Sequence, residues 1–251
     1  MAIPGREDGD FVEGIYNWCD RWCERCPMTT RCRQYAIECT RDAFNADGSN
    51  DGDNVDFMES LIYTAGEFES GDSGDVSEFG YGDMNVDSDT SEPDFEEIDM
   101  DDYLAEREAI ERAVGETECV KIVDLYMAGG TCWLDEWDIL LEELQKDNEA
   151  ILDAEEVIRW DLFQLPVQLR RAVSGKIEGD FEFEEDVFGS AKVVLLGADR
   201  SLAAWKVVRE ALPEEKRDSV ADVIHHLERL VKSIELEIPE ARSFKRPGFD
   251  D

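Results

Sequence analysis

Between residues 101 and 238, apolar side chains return at the three- and four-residue spacing of one helix face, and no other feature restricts the fold as strongly. The clearest stripe is Val220, Val223, Ile224, Leu227, Leu230, Val231 and Ile234, which follows Pro213, a residue suited to a first helical turn. A second runs through Ala191, Leu195, Ala198, Leu202, Trp205, Val208 and Leu212, with Gly189, Ser190, Gly197 and Ser201 leaving room for a neighbouring helix. A third carries Ile151, Ala154, Ile158, Leu162, Leu165, Leu169 and Val173; Pro166 should kink or split it and Gly175 should stop it. Trp133, Leu134, Trp137, Leu140, Leu141 and Leu144 make a fourth, with Thr131 as its N-cap. Ile110, Ala113, Val114, Thr117, Ile122 and Tyr126 make a fifth, closed by the breaker Gly129-Gly130. Helices of this length on short loops pack antiparallel, so the expected fold is all-α, an up-and-down bundle of four or five helices. The stripes themselves are read as core.

Around this bundle the composition shifts. Residues 1–44 form a Cys-rich module expected to bind metal, and 45–100 an Asp/Gly/Ser-rich acidic linker expected to be largely disordered. The bundle covers 101–238, and 239–251, with Phe244 and Phe249 between and beyond prolines, is expected to be an extended tail laid over it. Within the linker, Phe57, Met58, Leu61, Ile62 and Tyr63 suggest a short helix. Asp47 to Asp53 invites comparison with a calcium loop but lacks the bidentate Glu and the flanking helices that such a loop needs. Acidic residues outnumber basic ones by 63 to 25, for a net charge of -38, and that field opposes binding to nucleic acid phosphates. No apolar run approaches the roughly eighteen residues of a membrane span. Residues 1–8 lack a cationic start followed by an apolar run, so the expected location is cytoplasmic. Seven cysteines there argue for metal or free thiols before disulfides.

Four of the seven bunch in Trp18-Cys19-Asp-Arg-Trp22-Cys23-Glu-Arg-Cys26-Pro27-Met-Thr-Thr-Arg-Cys32, with the spacing Cys-x3-Cys-x2-Cys-x5-Cys. Cys19 and Cys23 lie one helical turn apart, Cys23-x2-Cys26 lets both sulfurs of a turn reach one centre, and Pro27 should end the helix and return the chain towards Cys32. Structural zinc sites use two close pairs separated by a longer loop, whereas four bunched thiolates suit a cuboidal [4Fe-4S] cluster; zinc is the alternative. Cys39 reads as a buried thiol or a spare, and Cys119 and Cys132 as core. Arg21, Arg25, Arg31 and Arg33 either support an anionic centre or pair with the carboxylates of the bundle, and pairing is favoured.

Cys23-Glu-Arg-Cys26-Pro27-Met-Thr-Thr-Arg-Cys32 resembles the Cys-x2-Cys-Pro-x4-Cys end of the [4Fe-4S] loop in the endonuclease III and adenine glycosylase family, and the cluster of CRISPR-associated and recombination exonucleases. The resemblance covers this loop alone. Cys19 departs from the glycosylase pattern, in which six residues rather than three precede the pair. The resemblance implies cluster ligation by Cys19, Cys23, Cys26 and Cys32 and does not extend to DNA repair, because neither a helix-hairpin-helix signature nor a nuclease carboxylate-lysine set follows. Cys19-x3-Cys23-x2-Cys26 also matches the radical S-adenosylmethionine trio, which is set aside because Cys32 supplies a fourth thiol and no strand-helix barrel follows.

Helix bundles also hold di-iron sites, but those need a histidine on each of two helices, and here His225 and His226 are adjacent, with only Asp222-x2-His225 near the pattern. Glu155, Glu156 and Asp161 are the carboxylates that such a site would draw on. No phosphate loop, nucleophile motif or zincin pair is present, so no catalytic motif is assigned. The function expected is a metal-binding protein with a [4Fe-4S] cluster, serving electron transfer or cluster-dependent assembly with a protein partner. The alternatives are a zinc-stapled interaction module and a metal-dependent oxidase using the bundle carboxylates.

Overall fold

The structure, a computed structural model, describes residues 11–46, 100–146, 148–179 and 184–250, with backbone alone for 41–46. Residues 47–99 of the acidic linker, with the Asp47 to Asp53 turn and the Phe57 to Tyr63 cluster, therefore lie outside the described residues. The chain divides into two compact units: Val12–Met28 goes with everything from Asp101 onward, and the stretch from Thr29 goes with the other. In that other unit a 3-10 turn, Thr29–Arg31, leads through Cys32 into helix α1, Arg33–Ala46. The carbonyl of Cys32 accepts the Ala36 N–H at 3.2 Å, so Cys32 sits at the mouth of α1.

The larger unit is helical throughout its regular structure. It holds α2 (Met100–Glu116, of which all but Met100 belongs here), α3 (Glu118–Gln145), α4 (Glu149–Glu178), α5 (Glu184–Ala211) and α6 (Ala221–Glu237), and no strand occurs among the described residues. α4 packs on α3 and on α5, and α6 packs on the same two, which closes four helices around one core; α2 adds Val114 and Ile110. The all-α up-and-down bundle expected from the stripes is the fold adopted. Ile151, Ala154, Ile158, Leu162, Leu165, Leu169 and Val173 are all buried, as are Val223, Leu227, Leu230 and Ile234.

Three expected boundaries move, each because packing outweighs local propensity. Gly129-Gly130 does not break the chain: α3 runs through it, and Thr131 is an exposed mid-helix residue rather than an N-cap. A Cβ on Gly130 would stand 2.6 Å from Leu162 Cδ2, so the glycine serves the approach of α4, and its propensity cost of about 1 kcal/mol is offset by that contact. The break falls at Thr117, whose backbone is extended and whose hydroxyl donates to the Val114 carbonyl at 2.7 Å. Pro166 does not split α4 but lies buried inside it. The stop of α4 is not Gly175, whose Cβ position faces Val187, but Gly179, which takes the left-handed conformation (φ 70°) open to glycine and returns its N–H to the Gly175 carbonyl.

Pro213 opens a 3-10 stretch, Glu214–Val220, before α6 begins. The tail begins with a further 3-10 turn, Pro239–Arg242, and so is not extended from its start. It is tied to the bundle where Arg242 grips Asp199 and Glu235 and its carbonyl accepts Lys192 Nζ at 2.6 Å. No helix among the described residues is long and apolar enough to cross a membrane.

Candidate metal centre

Trp18-Cys19 and Trp22-Cys23 repeat one dipeptide, and the tryptophans fasten this segment to the bundle. Trp18 lies on α5 where Gly189 leaves the backbone bare; a Cβ there would overlap the indole ring at Cδ1, Cγ and Nε1. Its ring also meets Phe244 of the tail edge-on, at 5.0 Å between ring centroids. Further along the tail, Gly248 closes against Val12, Ile15 and Met28. Trp22 stacks on Trp160 of α4, with centroids 5.0 Å apart and planes 13° from parallel. The expected close approach to Gly197 is made by Leu165 of α4, whereas at Gly189 the neighbour is this segment and not a helix.

Between the tryptophans the chain is not helical, which corrects the expected shared helix face for Cys19 and Cys23. Arg21 adopts a left-handed backbone (φ 58°), which ends any helix there and lets Asp20 and Trp22 both address the bundle. Asp20 is then held three ways: its carbonyl accepts Trp160 Nε1 at 3.1 Å, its carboxylate accepts Arg200 Nη1 at 2.6 Å, and the Trp22 N–H closes onto its Oδ1 at 3.2 Å. Arg25 lies over the Trp22 ring at 4.3 Å and donates to Asp153, at 2.6 Å, and to Glu156. Arg25 thus takes the pairing role expected for these arginines.

Cys19, Cys23, Cys26 and Cys32 are all half-buried. Cys23 opens a 3-10 turn, Cys23–Arg25, whose closing bond runs from the Cys26 N–H to the Cys23 carbonyl. Cys26, placed before Pro27, is extended, as the residue before a proline prefers. Its sulfur accepts the Met28 N–H at 3.4 Å, and the sulfur of Cys32 accepts the Tyr35 N–H at 3.5 Å. Backbone N–H groups also donate to the sulfurs of metal-bound cysteines. Cys19 Sγ instead donates to the Tyr16 carbonyl, at 3.6 Å.

Cys19, Cys23 and Cys26 belong to the bundle unit and Cys32 to the other. Among the described residues no group of three or more His, Cys, Asp and Glu side chains is gathered as a metal ion would need. The donors fit a thiolate-bound metal in chemical type, and loading would require Cys19 to lose its proton and its bond to Tyr16.

Behind the segment lies a buried polar chain that spacing alone does not reveal. Asp161 of α4 is 0% exposed and receives Arg200 through both oxygens, at 2.5 and 3.2 Å. Burial pushes its pKa up to about 6, against the lowering effect of the Arg200 bonds. Burial opposes the charge on Arg200, but the bonds to Asp161 and Asp20 outweigh it and raise its pKa. Ser201 bonds Asp161 and also the Tyr126 hydroxyl, at 2.8 Å, and burial drives the pKa of that phenol upward. Arg200 therefore bridges the core carboxylate to Asp20, the neighbour of Cys19.

The other carboxylates considered for the bundle are likewise engaged: Glu155 by Arg159 and Gln145, Glu156 by Arg25. His225 and His226 are tilted, 6.3 Å apart between rings, and burial lowers the His226 pKa, helped by Arg229. Cys119 is core as expected, its pKa raised by burial, but Cys132 and Cys39 are exposed because they fall on solvent faces of α3 and α1. No family model, curated protein or solved structure matches this chain.

Proposed function

We propose that the segment 19–32 is a metal centre on Cys19, Cys23, Cys26 and Cys32, holding a [4Fe-4S] cluster, for electron transfer or cluster-dependent assembly with a protein partner. What carries this reading is that backbone N–H groups already serve two of the four sulfurs, Cys26 from Met28 and Cys32 from Tyr35. The bunched spacing favours a cuboidal cluster over a single ion. Fastening by Trp18, Trp22 and Asp20 gives Cys19 and Cys23 a rigid support on the bundle, which is what a redox centre uses to limit rearrangement.

Zinc is the second reading. The Cys23–Arg25 turn with its closing Cys26 N–H and the Met28 N–H on sulfur is also the form of a zinc knuckle. Anaerobic purification with elemental analysis separates the two. The expected outcome is a brown protein with about four irons per chain, bleached by dithionite, and a colourless one when Cys23 and Cys26 are both replaced by Ser. A colourless protein with one zinc selects the second reading, and no stoichiometric metal in either form refutes both.

A further inference from the structure

Helix α4 carries more apolar surface than its core needs. One side supplies Ile151, Ile158, Leu165 and Leu169 to the interior. Trp160, Phe163 and Val167 lie together on another side, and Leu152 lies on the same side beyond Glu156, all within about a quarter-turn at the helical 100° per residue. Phe163 is 77% exposed, Val167 63% and Leu152 46%. Large apolar side chains placed in a row on a solvent face mark an interaction site more often than an isolated one does. The row borders a groove of about 680 Å³ lined by Trp22, Arg25, Trp160 and Phe163, directly beside the Cys23–Arg25 turn.

Charges of both signs line this face, and carboxylates outnumber guanidiniums along it. Arg25 is held by Asp153 and Glu156, and Arg159 by Glu155 and Asp138, so both guanidiniums are occupied by carboxylates, and Glu24 adds another negative group. A second copy of a chain with net charge -38 would meet like charge here. The apolar row and acidic rim instead complement a segment that is apolar on one side and basic on the other.

We propose that the Leu152, Trp160, Phe163 and Val167 face, with the groove beside Trp22, is the docking surface for a basic amphipathic helix of a protein partner. The surface deepens the partner role assigned to the cysteine segment and rests on that reading for its purpose, though not for its existence. Docked there, the partner lies against the turn that carries Cys23.

The test uses the full chain and two synthetic eighteen-residue helical peptides with the same leucine face, one otherwise lysine and one otherwise glutamate. Binding is measured by calorimetry at several salt concentrations. The lysine peptide is expected to bind, more weakly as salt rises, and the glutamate peptide not to bind. Phe163→Glu and Val167→Glu are expected to weaken the lysine peptide at least tenfold. Leu236→Glu, the same change at an 85% exposed position of α6, is expected to leave it unaltered. Both α4 positions are exposed, and circular dichroism of each variant checks that the fold is kept.

The sign of this comparison is decisive, because added glutamates would strengthen a merely electrostatic attachment. Unchanged or tighter binding in the α4 variants overturns the proposal. So does a dimer in sedimentation that the α4 variants dissociate, since it would assign the face to self-association. Metal content is measured on the same samples, so a protein that holds metal and ignores the peptide refutes the docking surface alone. A protein that binds the peptide but no metal refutes the metal centre alone.

Discussion

Asp161 brings a carboxylate to a place closed to the surface, and its pKa of about 6 follows from burial that the Arg200 bonds only partly offset. Its folded value stands above the ordinary value of 3.8, so folding takes up a proton between the two. The contribution to stability is therefore fully present below pH 3.8 and is lost as pH rises through about 6. Urea unfolding of the native chain and Asp161→Asn across pH 4 to 8 should show this. The native chain loses on the order of 2–3 kcal/mol relative to the variant by pH 7, at about 1.4 kcal/mol per unit of pKa. Parallel profiles for the two proteins would refute the assignment. At this scale the sequence was least readable. The four thiols could be named from spacing, but Arg21 in the left-handed region and the reach of Arg200 to Asp20 depend on contacts far along the chain.

At the level of elements the stripes were legible, because each marks a face that only a helix-lined core can bury. The stops were not. Gly130 and Gly175 look like breakers in isolation, and only the arrival of Leu162 and Val187 shows that they are gaps for neighbours. Gly189 is the most telling of these. Alanine in place of glycine inside a helix usually gains about 0.5–1 kcal/mol. Here the added methyl meets the Trp18 indole. Gly189→Ala is accordingly expected to destabilise the chain by about 1–3 kcal/mol, the usual range for overpacking. Tryptophan emission should shift to the red as Trp18 is displaced, and a stabilised variant with unchanged emission would contradict this docking. The repeated Trp-Cys dipeptide was the available sign that thiols and anchors are coupled.

For the molecule as a whole, a net charge of -38 means that carboxylates repel one another in the compact state. Raising sodium chloride from about 10 mM to about 500 mM shortens the screening length from roughly 30 Å to under 5 Å. The melting temperature should therefore rise, by about 2–4 °C for each kcal/mol of repulsion relieved. A flat or falling profile would mean that the ion pairs lost to screening outweigh it. Placement of the thiols also has a consequence for biosynthesis. Cys19 and Cys23 leave the ribosome well before Trp160, Gly189 and Phe244, which their neighbouring tryptophans need as seats. Translation at about 5–20 residues per second thus leaves the sulfurs undocked for many seconds, and whichever ion or oxidant meets them in that interval does so before the bundle can shelter them.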